Sequence, residues 1–222
     1  VLDSDDVAAA AADAWAMRME NNGQACNSNK RMIVMEEIYD RFVKELTILA
    51  RAAEAATVGG SVDEPGFAPL SSRVAAERLR DQVDDAVRKG AVLHAGGDLL
   101  VGPGAYFTPA VLTGVVPGMR AYREELFGPV AVVYRITSAQ EAIDLANDSD
   151  YGLGGAVFSR DTAAAAGVAD ALEVGMASVN AGAAEGAEFP FGGVKRSGFG
   201  RELGPLGVDE FVNKRLFYVH GS

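Results

Sequence analysis

The sequence predicts an α/β domain built in three layers, with a largely parallel sheet covered by helices on both faces. Two patterns predict it. Helix-like stretches alternate with short strand candidates along the chain, and the strands are apolar runs of the kind buried on both faces. Val130–Ile136, reading VAVVYRI, is the plainest of these runs. With 222 residues, 49% of them hydrophobic and 23% charged, the chain can bury such a core without metals or disulfides.

Each element has its own signal. Asp3, Ser4, Asp5 and Asp6 are helix-starting residues, and the Ala-rich stretch behind them, with Trp15 and Met19, predicts a helix within residues 2–20 that runs toward Cys26. Arg31–Met35 is a short apolar strand. Residues 36–56 carry Ile38, Phe42, Leu46 and Leu49 at spacings of three and four, the mark of an amphipathic helix. Gly59, Gly60, Pro65, Gly66 and Pro69 make residues 58–70 a loop, after which Ser71 is expected to cap a charged helix ending near Gly90. Strands are expected at 91–94, 107–113 and 130–136, separated by Gly and Pro turns. A helix at 138–147, a strand at 155–158, a helix at 162–172 and a strand at 176–180 follow. A short helix at 203–213 and a terminal strand at 216–220 complete the chain. No fixed-period repeat or low-complexity linker interrupts it, so the expected boundary falls near Asn213, between a body of residues 1–213 and a terminal strand within 214–222.

Composition narrows the classes of function. A formal net charge of −11 repels phosphate backbones, so nucleic acid is not an expected partner. No apolar run is long enough to cross a bilayer, and no membrane partner is expected. The acidic opening VLDSDD is unlike a targeting segment and reads as the middle of a longer chain. A single cysteine cannot form an internal disulfide, which fits a reducing, cytoplasmic setting. Cys26 with His94 and His220 cannot close a zinc site, so no metal is expected. No G-x-S-x-G elbow supports serine chemistry.

Three segments carry chemistry. The run NGQAC, ending at Cys26, sets a thiol in a polar, glycine-containing loop just after a helix, where a buried inert cysteine and a reactive one are both open readings. EELFGPV, beginning at Glu124, joins carboxylates to an aromatic ring and a Gly-Pro turn. FPFGGVKRSGFGRE, beginning at Phe189, is aromatic and glycine-dense, suited to bringing backbone close to a ligand and walling an apolar channel. Taken singly, Glu125 could be a solvated loop acid and Phe191 a core plug.

In this order the segments match G-Q-x-C, E-x-F-G-P and P-F-G-G-x-K-x-S-G-x-G-R-E, and over nearly its whole length the chain resembles the aldehyde dehydrogenase superfamily. Within it, the runs NGQACNSNKR, ANDSDYGL and GFGRELGPLG resemble bacterial succinate-semialdehyde dehydrogenases. The resemblance implies the family's catalytic domain, with Cys26 attacking an aldehyde carbonyl and hydride passing to NAD or NADP. The thioester left on sulfur is then hydrolysed to the acid. It implies that Glu125 hydrogen-bonds the nicotinamide ribose, Phe127 stands beside the nicotinamide and Phe191 lines the substrate channel. The Cys26 backbone N–H would donate to the oxyanion, while Lys195 and Arg201 would hold their loop.

The resemblance also places the general-base glutamate and the dinucleotide-binding half ahead of Val1. The chain is therefore expected to lack its N-terminal half and to be inactive as a dehydrogenase alone. Residues 214–222 would complete a bridging sheet between subunits of a homodimer or homotetramer, and left unpaired would be an association hazard. A semialdehyde acid needs a cationic or hydroxyl anchor. This chain has Glu20 and Gly186 where some relatives have Arg and Ser, so Arg18 is the candidate substrate-binding residue, beside its reading as an exposed helix residue. Two other classes remain as rivals, a non-catalytic scaffold domain and a cofactor-independent cysteine esterase.

Overall fold

A computed structural model describes residues 1–55, 66–182 and 186–221. The expected loop at 58–70 lies outside the described residues as far as Pro65. Strands β1 (Arg31–Met35), β2 (Val92–Ala95), β3 (Ala110–Thr113) and β4 (Val130–Ile136) form one sheet in the order β1-β4-β3-β2. β4 pairs in parallel with β1, Arg31 opposite Val132, and with β3, Ala110 opposite Val130; β2 is an antiparallel edge.

Alternation along the strands divides the core in two. Ala110, Leu112, Val130, Val132 and Tyr134 point to one face, where Ala76, Leu79, Val83 and Ala86 of α3 (Arg73–Arg88) meet them. Val111, Ala131 and Val133 point to the other, against Ala11 and Ala14 of α1 (Val7–Met19) and Phe42 and Leu46 of α2 (Glu36–Ala52). Helix, sheet and helix make the expected three layers. Every residue of β4 except Arg135 is buried, which is why its sequence lacks a polar face.

The helix caps are local and readable. Asp6 accepts from Ala9 N at 3.0 Å to start α1. Ser138 accepts from Glu141 N at 3.2 Å to start α5 (Ala139–Asn147), and Asp161 accepts from Ala163 N and Ala164 N, each at 3.0 Å, to start α6 (Thr162–Asp170). One expectation shifts by a residue: Ser72, not Ser71, caps α3, accepting from Ala75 N at 3.1 Å. Beyond the main sheet, β6 (Gly154–Val157) pairs in parallel with β7 (Met176–Val179), and β5 (Tyr151–Gly152) pairs antiparallel with β8 (Val194–Lys195). The one-turn helix α4 (Arg120–Arg123) and the pair β5 and β8 are too short for a sequence period to reveal. The final helix, α7 (Gly204–Asp209), is shorter than expected.

Residues 216–220, where a strand is expected, form no strand among the described residues. Leu216, Phe217, Tyr218 and Val219 are exposed, and no neighbouring backbone among the described residues offers them a hydrogen-bonding ladder. No helix among the described residues is long and apolar enough to cross a membrane.

Two stability measurements check this arrangement. Phe42→Ala removes a side chain with 0% exposure from the α1/α2 core and is expected to lower the urea-unfolding free energy by about 3–5 kcal/mol. Ser72→Ala is expected to cost about 1 kcal/mol, whereas Ser71→Ala stays within about 0.5 kcal/mol of the parent.

Candidate active site

Parallel pairing of β1 with β4 brings the loops ahead of these two strands to the same end of the sheet. Cys26 lies in the first loop. Glu125 and Phe127 lie in the second.

The cysteine loop is held by side-chain bonds to backbone. After α1 the chain makes a 3-10 turn, Glu20–Gly23, in which Asn21, Asn22 and Gly23 take φ of 46°, 56° and 72°. Asparagine tolerates this left-handed region. Close approach requires the glycine, because a Cβ at Gly23 would lie 2.2 Å from the Gly128 carbonyl oxygen. Buried Asn22 donates Nδ2 to Ala68 O at 2.7 Å, and Gln24 Oε1 accepts from Ser71 N at 2.8 Å. Ser28 Oγ donates to Arg18 O at 2.9 Å, and Asn29 Nδ2 donates to Ala14 O at 3.1 Å. Cys26 stands exposed on this frame as a free thiol.

In the second loop, Leu126 is buried between exposed Glu125 and Phe127. Glu124 is engaged twice by Arg120, whose Nε and Nη2 each donate at 2.9 Å, and that contact holds its carboxyl below the usual range. The Glu125 carboxylate has no hydrogen-bond donor among the described residues, so it is free for a ligand. Four carbonyls of this loop are taken from outside it. Lys30 Nζ donates to Glu124 O at 2.5 Å, Gln82 Nε2 to Glu125 O at 3.1 Å, and Arg18 Nη2 to Leu126 O at 2.5 Å and to Gly128 O.

The third segment is fastened in the same manner. Phe191 and Glu202 exchange two backbone hydrogen bonds of 2.7 Å. Arg201 Nη1 donates to Gly193 O at 2.9 Å and Gly200 O at 2.6 Å, and Lys195 Nζ donates to Asn147 O at 2.8 Å while pairing with Glu173 at 2.7 Å. Both cations hold the loop. Cys26, Glu125, Phe127 and Phe191 all line one open cleft of about 1860 Å³.

Arg18 departs from both of its sequence readings. It is 1% exposed, not a surface residue, and its Nη1 donates to Ser28 O at 3.2 Å and Ser28 Oγ at 3.1 Å while Nη2 binds the carbonyls of Leu126 and Gly128. Burial pushes its pKa down to about 10 against the favourable field of Glu125. A guanidinium so engaged with backbone is a strut between the two loops and has no fork to offer a substrate carboxylate. Sequence reasoning passed over Lys30 and Gln82. Gln82 left a signal, as a polar residue inside the apolar stripe of Leu79, Val83 and Ala86; so did Lys30, a cation directly ahead of the half-buried strand β1.

Residues 1–216 match the aldehyde dehydrogenase family, and the chain belongs to it. More particularly, it is 50% identical to the succinate-semialdehyde dehydrogenase [NADP(+)] of Deinococcus radiodurans over 97% of this chain and 45% of that protein. It is 44% identical to an aldehyde dehydrogenase of Paenarthrobacter nicotinovorans over 99% of this chain and 47% of that one. The succinic semialdehyde dehydrogenase of Streptococcus pyogenes, solved with NADP+, superposes with a TM-score of 0.89 at 40% identity, over 98% of this chain and 48% of that one. The chain thus spans about half the length of the relatives it matches.

Two substitutions test the frame. Gly23→Ala forces a Cβ onto Gly128 at a positive φ, so it is expected to destabilise the chain by at least about 1 kcal/mol and to change the iodoacetamide labelling rate of Cys26. Arg18→Ala leaves the Leu126 and Gly128 carbonyls without a donor, and urea unfolding is expected to show a loss of about 3 kcal/mol.

Proposed function

We propose that Cys26 is the nucleophile of an aldehyde dehydrogenase whose dinucleotide-binding half lies outside these residues, with NADP as cofactor and succinate semialdehyde as substrate. The observation that carries this reading is convergence: Cys26, with its exposed free thiol, Glu125, whose carboxylate takes no hydrogen bond among the described residues, Phe127 and Phe191 all line one cleft. The names of the relatives support the cofactor and the substrate.

In this reading the Cys26 thiolate adds to the aldehyde carbon and forms a thiohemiacetal, and the Cys26 backbone N–H donates to the new oxyanion. A bound nicotinamide supplies the hydride acceptor. Loss of hydride from the thiohemiacetal carbon to that acceptor would leave a thioester on the Cys26 sulfur, and water would release the carboxylic acid and return the thiol. Glu125 fits the ribose hydroxyls, since the residue is exposed and its carboxylate takes no hydrogen bond among the described residues. Phe127, 45% exposed, fits as a flat wall for the nicotinamide. Phe191 lines the channel for the aldehyde carbon chain. Because Arg18 is engaged by carbonyls, the distal carboxylate of the substrate is held by other groups. The body of residues 1–213 acts as the catalytic domain. The exposed residues 216–219 support assembly with further chain, in a homodimer or homotetramer, through a strand that one chain leaves unpaired.

The test joins the uncovered part of the Deinococcus radiodurans relative ahead of Val1. The joined protein is expected to reduce NADP with succinate semialdehyde and to lose at least about a thousandfold in kcat with Cys26→Ser, while the 222-residue chain alone gives no turnover. A joined, folded protein with no activity on any aldehyde would refute the reading. A cofactor-independent burst of nitrophenol from nitrophenyl acetate, with no dehydrogenase activity, would favour the esterase alternative.

A further inference from the structure

The carbonyls of Glu124, Glu125, Leu126 and Gly128 are gripped by Lys30, Gln82 and Arg18, and the side chains of Glu125 and Phe127 are left outside these contacts. Fixing a loop by its carbonyls sets where its Cα atoms stand without occupying the side chains that face a ligand. The three donors sit on stiff mounts. Arg18 is in the last turn of α1 and Gln82 is buried within α3. Lys30 directly precedes β1, and its own carbonyl accepts from Val132 N at 3.0 Å. Of the three, only Lys30 belongs to the loop between the cysteine and β1.

We propose that Lys30 is a positioning residue: its ammonium, bridging from the Cys26 loop to the Glu124 carbonyl, sets where Glu125 and Phe127 stand relative to the thiol. The inference rests on the reading of Glu125 and Phe127 as cofactor contacts.

Loss of the lysine would remove a charge held partly out of water and at the same time leave Glu124 O without its donor, so the two effects on stability oppose each other. Burial first, then the neighbouring cations Arg31 and Arg18, push its amine from 10.5 down to about 8, while Glu125 and Glu124 oppose the shift. The folded value lies below the unfolded one, so between the two the unfolded chain binds more protons and stability rises with pH. Below about pH 8 the charged amine weighs fully against the fold. An apolar side chain of similar length would fill the same space without that cost. It could not donate to Glu124 O.

The test compares Lys30→Met and Lys30→Arg in the 222-residue chain. The urea stability of Lys30→Met relative to the parent is expected to fall as pH climbs from about 8 toward 10.5, because the parent alone sheds its charge penalty over that range. Amide exchange at Glu124 and Gly128 should quicken about tenfold or more while the amides of β4 keep their protection. Lys30→Arg, which keeps a donor and a charge, restores slow exchange. Parent-like exchange at 124–128 in Lys30→Met, or equal quickening in β4, overturns the proposal. So does failure of Lys30→Met to fold, which would make Lys30 a residue of the fold itself. In the joined enzyme, Lys30→Met is expected to raise the cofactor KM about tenfold with the aldehyde KM unchanged, and the reverse pattern overturns the proposal. A joined enzyme devoid of dehydrogenase activity refutes the cofactor reading of Glu125 and Phe127, and the exchange measurement then still decides whether Lys30 holds their loop.

Discussion

The parallel pairing of β1 with β4 is the constraint on which the rest of the molecule depends. Parallel neighbours place the segments that lead into them at the same end of a sheet, so the chain before Arg31 and the chain before Val130 must meet there. Those two segments carry Cys26 and the Glu125 and Phe127 pair. Had β4 run antiparallel to β1, the thiol and the carboxylate would stand at opposite ends, and no local adjustment could reunite them. The burial of β4 on both faces makes the pairing hard to shift, because a slip by one residue would exchange Val130, Val132 and Tyr134 with Ala131 and Val133 between two differently packed cores.

Within that frame the two loops are joined by polar contacts. Gly23 lies against the Gly128 carbonyl so closely that no side chain fits between them, and Arg18 and Lys30 reach from the cysteine side to the carbonyls of the other loop. Cations drawn wholly or partly out of water to backbone carbonyls, as buried Arg18 and half-buried Lys30 are, are costly to desolvate, and their geometry must be good if they are to be kept. At this site they fix the approach of two loops while leaving Cys26, Glu125 and Phe127 uncovered. The glycine-dense segment after Phe189 follows the same rule, with Arg201 and Lys195 turned inward to carbonyls and Phe191 left at the cleft.

An open cleft of this size, walled on one side by such loops, accords with a chain that spans about half the length of its relatives. The exposed run from Leu216 to Val219 belongs to the same picture: its residue types suit a strand, and a strand forms only where a second backbone supplies the ladder. Arg18 illustrates the opposite case. Its residue type suits an anion anchor, and its surroundings assign it to the fold.

The sequence by itself determined the layers, the strands β1 and β4 to the residue, the capped start of α1 and the family, because apolar period, cap chemistry and motif spacing are local properties of the chain. It also singled out Cys26, Glu125, Phe127 and Phe191, through segments that ordinary core sequence does not contain. Only the tertiary structure decided that Ser72 and not Ser71 caps α3, that Arg18 is buried, that Lys30 and Gln82 grip the loop at 124–128, and that the terminal segment finds no strand partner among the described residues. Each of these depends on which carbonyl or backbone a side chain meets across the fold. That is a distance through space between residues far apart in the chain, and no spacing along it encodes such a distance.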